Sequence, residues 1–163
     1  MFSLTGKKAL VTGGSRGIGR GIVLALARQG ADVLVNYHRH PEEAEAVVEE
    51  VKKMNREAFS YQADVSQSTQ VKAMFNEVKK RWGKLDILVN NAGILKFAPF
   101  ESITEDDWEQ ILAVNLKGQF LCAQEAVKLM AGGGKIINIA SIASGGAGIG
   151  FAKIAHYTAS KGG

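Results

Sequence analysis

The stretch Ala9-Leu10-Val11-Thr12-Gly13-Gly14-Ser15-Arg16-Gly17-Ile18-Gly19 sets an apolar strand, a glycine-rich turn and the start of a helix in immediate succession. Glycines at such a turn permit a tight reversal, let a phosphate approach the backbone and let the helix pack closely on the strand. The helix start then offers unpaired N–H groups and the positive end of its dipole to an anion. The spacing is Gly-x-x-x-Gly-x-Gly, not the commoner Gly-x-Gly-x-x-Gly, and a ligand-free turn is the alternative reading. The strand-turn-helix setting favours a dinucleotide pyrophosphate.

Outward from this turn the alternation continues. The runs Val33-Leu34-Val35, Ala58-Phe59, Leu85-Asp86-Ile87-Leu88-Val89 and Ile136-Ile137-Asn138-Ile139-Ala140 are nearly continuous, the pattern of strands covered on both faces. Helices are predicted between them: Ile18 to Gln29, stopping at Gly30, and Pro41 to about Met54, with Glu42 and Glu43 in the first turn. A third, capped by Ser66, carries Val71, Met74, Phe75 and Val78 up to Gly83. A long fourth opens with a Thr104–Asp107 capping box and runs to about Met130, before Gly132-Gly133-Gly134. Five strands and four complete helices predict an α/β fold, a doubly wound parallel sheet with right-handed crossovers. No linker, repeat or low-complexity segment divides residues 1–163, which read as one domain.

Composition agrees. A chain of 163 residues with 46% apolar content buries a sizeable core without staples. The 20 basic and 16 acidic residues leave a net charge of +4, small and spread along the chain, which does not argue for nucleic acid. A single cysteine, Cys122, excludes a disulfide framework and a multi-cysteine metal site. No His, Cys or carboxylate cluster has metal-ligand spacing, so no metal is expected. Apolar runs of about five or six residues fall far short of the roughly 20 that a membrane span needs. Met1 to Lys8 has no apolar signal core, so a cytoplasmic address is expected.

Further motifs recur downstream of Thr12-Gly13, Gly17 and Gly19: Asn90-Asn91-Ala92-Gly93, then Asn115, Ser141 and Tyr157-x-x-x-Lys161. In this order, over the whole chain, they resemble the classical short-chain dehydrogenase/reductase family, in particular its 3-oxoacyl-carrier-protein reductases and glucose dehydrogenases. The resemblance implies a Rossmann-type NAD(P)-binding domain, with strand order 3-2-1-4-5 for the strands present. It also implies hydride transfer between a nicotinamide cofactor and a carbonyl or secondary alcohol, and a homo-oligomer, tetramer or dimer.

NAD-preferring dinucleotide folds place an acidic residue about 20 positions beyond the glycines, on the ribose 2′-hydroxyl. Here the second strand ends Asn36-Tyr37-His38-Arg39 with no carboxylate, and Asp32 lies at the wrong end. Arg16 and Arg39 instead suit a 2′-phosphate, which favours NADP(H), with NAD possible. Solvated surface charges are the alternative. In the resembled family the aspartate of Asp64-Val65 contacts adenine; a turn or cap role is an equal reading of the residue itself. Asn91, Ala92 and Gly93 let the chain pass close to the cofactor, or tie neighbouring strands, or both. The cofactor set is therefore Gly13, Ser15, Arg16, Gly17, Ile18, Gly19, Tyr37, Arg39, Asp64, Val65, Asn91, Ala92 and Gly93, with Tyr157 and Lys161.

Tyr157 and Lys161, four residues apart, share one helical face. A free tyrosine titrates near pH 10 and a nearby ammonium favours its phenolate, the condition for proton exchange at neutral pH. Tyr157 is the expected general acid in reduction and base in oxidation. Ser141, directly after the fifth strand, is the preferred hydroxyl for polarising the substrate oxygen, with Ser144 as rival. The resemblance implies that Asn115 holds a water linking Lys161 to solvent as a proton relay; a polar residue facing a neighbouring backbone is the alternative. His156 reads as an incidental loop histidine.

Two features depart from the family. The sixteen-residue step from Ser141 to Tyr157 is longer than usual, which puts the loop Ser144 to Ala155 in doubt as a match. The family's chains also continue past the lysine with further strands and a substrate cover, so a fragment is expected, weak in cofactor binding and poor in turnover. The substrate expected first is a 3-oxoacyl thioester, with a polyol or sugar close behind. A non-catalytic NAD(P)-binding regulatory or scaffold protein on the same fold is the rival reading.

Overall fold

Alternate residues of the central strands divide between two cores. Ala9, Val11, Val33, Val35, Ile87 and Val89 are buried on one side of the sheet, and Leu10, Leu34, Phe59 and Leu88 on the other. Unbroken apolar runs are what a strand buried on both faces requires. The computed structural model describes residues 3–144 and 151–163. Its strands are β1 (Lys8–Val11), β2 (Asp32–Tyr37), β3 (Ala58–Gln62), β4 (Ile87–Asn90) and β5 (Lys135–Asn138). All pair in parallel, in the order β3-β2-β1-β4-β5 that the resemblance implies. The order reverses between β1 and β4, and ligands of open α/β sheets bind beyond the carboxyl ends at such a point.

One face is covered by α1 (Gly17–Arg28) and α2 (Pro41–Lys52), through Val23, Leu24 and Ala27 and through Ala44, Val47, Val48 and Val51. The other is covered by α3 (Ser68–Trp82) and α5 (Gly118–Ala126). These three- and four-residue spacings make one apolar stripe per helix. Ahead of α5 lies α4 (Glu105–Leu112), against which α6 (Ala155–Gly162) packs.

Ser66 does not cap α3. Its N–H donates to Asp64 Oδ1 at 2.9 Å and the Gln67 N–H to the Asp64 carbonyl at 3.0 Å, so a turn precedes the helix. Nor is Thr104 to Met130 one α-helix: a π turn, Ala113–Lys117, separates α4 from α5, and a 3₁₀ turn, Val127–Leu129, ends the segment. The π turn carries Asn115, whose buried side chain bonds outside the helix; such widened turns concentrate at functional sites. Thr104 does cap α4, accepting the Asp107 N–H at 3.1 Å, while the Asp107 carboxylate takes Lys96 Nζ. β5 forms a sheet edge and all four of its residues are exposed, contrary to the cover its apolar run predicts.

Asp32 opens β2 at the amino edge of the sheet, accepting Lys8 Nζ at 2.7 Å and the Glu57 N–H at 2.8 Å. Beside it Asp86 accepts the Lys8 N–H at 2.8 Å and pairs with Lys84 at 2.9 Å. This charged edge is remote from the glycine turn. Among the described residues no helix is long and apolar enough to cross a membrane, and no group of three or more His, Cys, Asp or Glu is arranged to hold a metal.

Candidate functional site

The glycine turn is clamped to the tips of three strands. Thr12 Oγ1 accepts the N–H groups of Asn91 and Ala92 at 2.9 and 3.0 Å, and Asn91 Nδ2 donates to the Thr12 and Gly13 carbonyls at 3.0 Å each. Asn36 Oδ1 accepts the Gly13 N–H at 3.2 Å, and its Nδ2 donates to Ala63 O at 3.1 Å. Gly13 has φ +61°, and a Cβ there would sit 3.0 Å from Ala92 Cα. At Gly19 a Cβ would collide with the Gly13 carbonyl and come 2.6 Å from Asn91 Nδ2. Asn91 and Ala92 therefore do tie strands together. Asn36 and Thr12 escape motif reading as site residues; the signal for Asn36 is one polar residue inside an apolar strand, buried to 2% exposure.

Beyond the turn opens a cleft of about 870 Å³. It is lined by twelve of the expected cofactor residues: Gly13, Ser15, Arg16, Ile18 and Gly19 from the turn, Tyr37 and Arg39 after β2, Asp64 and Val65 after β3, and Asn91, Ala92 and Gly93 after β4. Gly17, exposed at the head of α1, and Tyr157 and Lys161 do not line it. Arg16 precedes α1 without capping it, and no acidic residue occupies the first turn, so the positive helix end is left to an anion. Arg16 and Arg39 make no ion pair among the described residues. A dinucleotide fits this donor set. Asp64 Oδ1 holds the turn before α3, and the residue also lines the cleft.

A second cluster stands beside Gly93, one of the residues lining the cleft. α6 puts Tyr157 and Lys161 one turn apart. Lys161 Nζ donates to the Ile139 carbonyl, just past β5, at 2.7 Å. Burial lowers the pKa of this half-buried ammonium below its ordinary value. A methyl group at Gly93 would lie 3.6 Å from Lys161 Nζ and 3.3 Å from Asn115 Oδ1, so α6 and the π turn meet at the tip of β4. Asn115 is fully buried; its Oδ1 accepts the Ile94 N–H at 2.8 Å, and its Nδ2 donates to the Ile94 carbonyl at 2.9 Å and Ser160 Oγ at 3.0 Å.

Ser141 comes three residues after the end of β5 rather than directly off it. Its Oγ accepts the Ala143 N–H at 3.2 Å, whereas Ser144 Oγ donates to the Ser141 carbonyl at 2.7 Å. Residues 145–150 of the loop between Ser144 and Ala155 lie outside the described residues. His156, expected on a loop, is instead helical and fully buried.

Residues 7–163 match the model of the short chain dehydrogenase family. The chain belongs to the short chain dehydrogenases. Among curated relatives it is 44% identical to the trihydroxynaphthalene reductase of Colletotrichum orbiculare over 98% of this chain and 56% of the relative. It is 45% identical to a 3-oxoacyl-[acyl-carrier-protein] reductase of Staphylococcus aureus over 96% of this chain and 63% of the relative. Among solved structures, a short chain dehydrogenase from Burkholderia cenocepacia in complex with NADP superimposes with a TM-score of 0.93 at 39% identity, over 98% of this chain and 64% of the other. The chain thus spans between half and two thirds of the length of these family members.

Proposed function

We propose that the chain forms the single dinucleotide-binding domain of an NADP(H)-preferring oxidoreductase that interconverts a carbonyl and a secondary alcohol. The observation that carries this reading is the junction of Lys161, Asn115 and Gly93, because it joins the helix bearing Tyr157 to the strand tip lining the cleft. The turn from Gly13 to Gly19 and the α1 N-terminus hold the pyrophosphate, Arg16 and Arg39 the 2′-phosphate, Asp64 and Val65 the adenine side, and Asn91 to Gly93 the central portion. When bound, the nicotinamide supplies or accepts the hydride.

Tyr157 gives its phenolic proton to the substrate oxygen in reduction and removes it in oxidation, assistance worth about 10²–10⁴-fold. Lys161, fixed by Ile139, brings positive charge to the same helical face. Ser141 donates a hydrogen bond to the substrate oxygen. It is favoured over Ser144 because the Ser144 proton is already committed to the Ser141 carbonyl, whereas the Ser141 hydroxyl is engaged only as an acceptor among the described residues. Asn115 positions α6 and with Lys161 belongs to the proton path.

The substrate we propose is a 3-oxoacyl thioester, on the strength of the Staphylococcus relative. A polyhydroxylated ring or polyol is the second reading, supported by the trihydroxynaphthalene reductase. The setting is a cytoplasmic homo-oligomer, tetramer or dimer, and exposed apolar residues on α4 and α5, Trp108 and Phe120, are consistent with assembly. The test is NADPH oxidation by the intact enzyme over a panel of 3-oxoacyl thioesters, polyhydroxylated ring ketones and sugar-derived carbonyls. Turnover with the thioesters is expected. NADPH binding with no turnover across the panel would favour a non-catalytic nucleotide-binding protein.

A further inference from the structure

Another cleft, of about 600 Å³, opens where the end of α1 meets the segment before β1 and the loop between α2 and β3. The whole of α1, 12 residues and about 18 Å long, separates it from the glycine turn. Its lining includes two arginines, Arg28 and Arg56, and two hydroxyls, Ser3 and Thr5, but no carboxylate. Hydrogen bonds tie the three segments to one another. The Leu4 N–H donates to the Gln29 carbonyl at 2.7 Å, and Arg56 Nη1 to the Gly30 carbonyl at 3.4 Å. Ser3 Oγ and Thr5 Oγ1, on either side of Leu4, lie 3.0 Å apart. Gly30 has φ +102° and passes so close that a Cβ there would sit 2.7 Å from Thr5 Oγ1.

The positive charge at this cleft is left without anionic partners. Among the described residues the arginine ion pairs belong to Arg20 and Arg81. Arg56 gives one of its N–H groups to Gly30 and keeps the others for a ligand. Asp32 and Glu57 are engaged by Lys8 Nζ, at 2.7 and 3.4 Å, and Arg56 acts on Asp32 only through space. The negative end of α1 is satisfied too, because the carbonyls of Ala25, Leu26 and Ala27 accept the N–H groups of Gln29, Gly30 and Ala31.

We propose that this cleft binds a phosphate monoester, at a site separate from the coenzyme cleft: Arg28 and Arg56 hold the phosphate, and the organic body lies against the half-buried Met54. Two guanidinium forks match a dianion with three free oxygens, as they do not match a singly charged carboxylate. One hydroxyl proton of the Ser3–Thr5 pair joins the two oxygens, and the other is free for the phosphate. The volume exceeds that of a phosphate alone and falls in the range of small-molecule sites, roughly 300–1,000 Å³. This site does not depend on the coenzyme reading.

The experiment follows backbone amide resonances of this chain by NMR during titration with phenyl phosphate, inorganic phosphate and phenol. Phosphate at the glycine turn is reported separately by Gly13, Gly17 and Gly19. Phenyl phosphate is expected to shift Thr5, Gly30 and Arg56 saturably, inorganic phosphate to do so with lower affinity, and phenol to leave them in place. Arg28→Gln and Arg56→Gln are each expected to weaken phenyl phosphate about tenfold at these three amides, the size of one exposed charge-assisted contact, and to leave the glycine-turn response unchanged. Shifts confined to the glycine turn, shifts by phenol equal to those by phenyl phosphate, or an unchanged affinity in the Arg28→Gln/Arg56→Gln double variant would overturn the proposal.

Discussion

Asn115 closes a two-way hydrogen bond with the backbone of Ile94: its Oδ1 accepts the Ile94 N–H at 2.8 Å and its Nδ2 donates to the Ile94 carbonyl at 2.9 Å. Its second amide proton goes to Ser160 Oγ, which in turn donates to the Tyr157 carbonyl at 2.7 Å. The side chain is thus a clamp between the segment after β4 and the helix bearing Tyr157.

Asn115→Leu keeps the branched shape and removes the partner of the Ile94 N–H and carbonyl and of Ser160 Oγ, two of these bonds being part-buried and one buried. An unsatisfied buried group costs about 1–3 kcal/mol, so urea unfolding is expected to show a loss of roughly 2–4 kcal/mol. A loss below about 0.5 kcal/mol, the size of an ordinary surface change, would contradict the clamp.

The sheet was legible because its signal is local and repeated: Ala9, Leu10 and Val11, or Val33, Leu34 and Val35, need cover on both faces whatever surrounds them. The glycine turn was legible because helix and strand cannot approach at Gly19 with a side chain present. Other features depend on distant partners. The Asn36 clamp depends on Gly13 and Ala63, and the π turn at Asn115 on Ile94 and Ser160, none of which has a sequence period. Ser66 looked like a cap because serine commonly is one, but Asp64 two residues earlier took its N–H and moved the helix start. The exposure of β5 is not reported by its apolar run, and edge position alone does not account for it, since β3 at the other edge buries Ala58 and Phe59.

Acid is expected to weaken the amino edge of the sheet. Burial alone would raise the Asp86 carboxyl, but the Lys8 N–H, the Lys84 hydrogen bond and the charges of Lys84 and Lys7 outweigh it and hold the pKa below the ordinary 3.8. A carboxyl depressed on folding contributes stability above its unfolded value and loses it as pH falls through the folded one. Urea unfolding at pH 6 and pH 3 is expected to show a smaller acid-induced loss in Asp86→Asn than in the wild type. An equal loss in the two proteins would exclude Asp86 from the acid response.

Cys122 is a buried thiol whose pKa burial pushes up to about 12. The thiolate is the reactive form. Iodoacetamide at pH 8 is therefore expected to leave the native chain unlabelled and to modify it at the rate of global opening in rising urea. Labelling of the native chain as fast as a free thiol would contradict this burial.

On the proposed reading, Arg16 and Arg39 set the coenzyme choice. Each charged contact is worth roughly 1.5–3 kcal/mol, with exposure favouring the lower end, so either arginine-to-alanine change is expected to weaken NADPH binding about tenfold or more. NADH binding is expected to change much less, and His38→Asp to repel NADPH further. Equilibrium titration of both coenzymes checks this. An unchanged NADPH/NADH ratio in both single variants and in the double would reject the phosphate clasp.

Proton transfer by Tyr157 is the central claim, and Tyr157→Phe tests it most directly because the ring is kept and only the phenolic hydroxyl is removed. The measurement pairs NADPH affinity with kcat for thioester reduction in the intact enzyme, wild type against variant. The account predicts unchanged NADPH binding and a kcat lower by about 10²–10⁴-fold, the usual worth of general acid catalysis. A kcat within a few fold of wild type, with coenzyme bound normally, would contradict it.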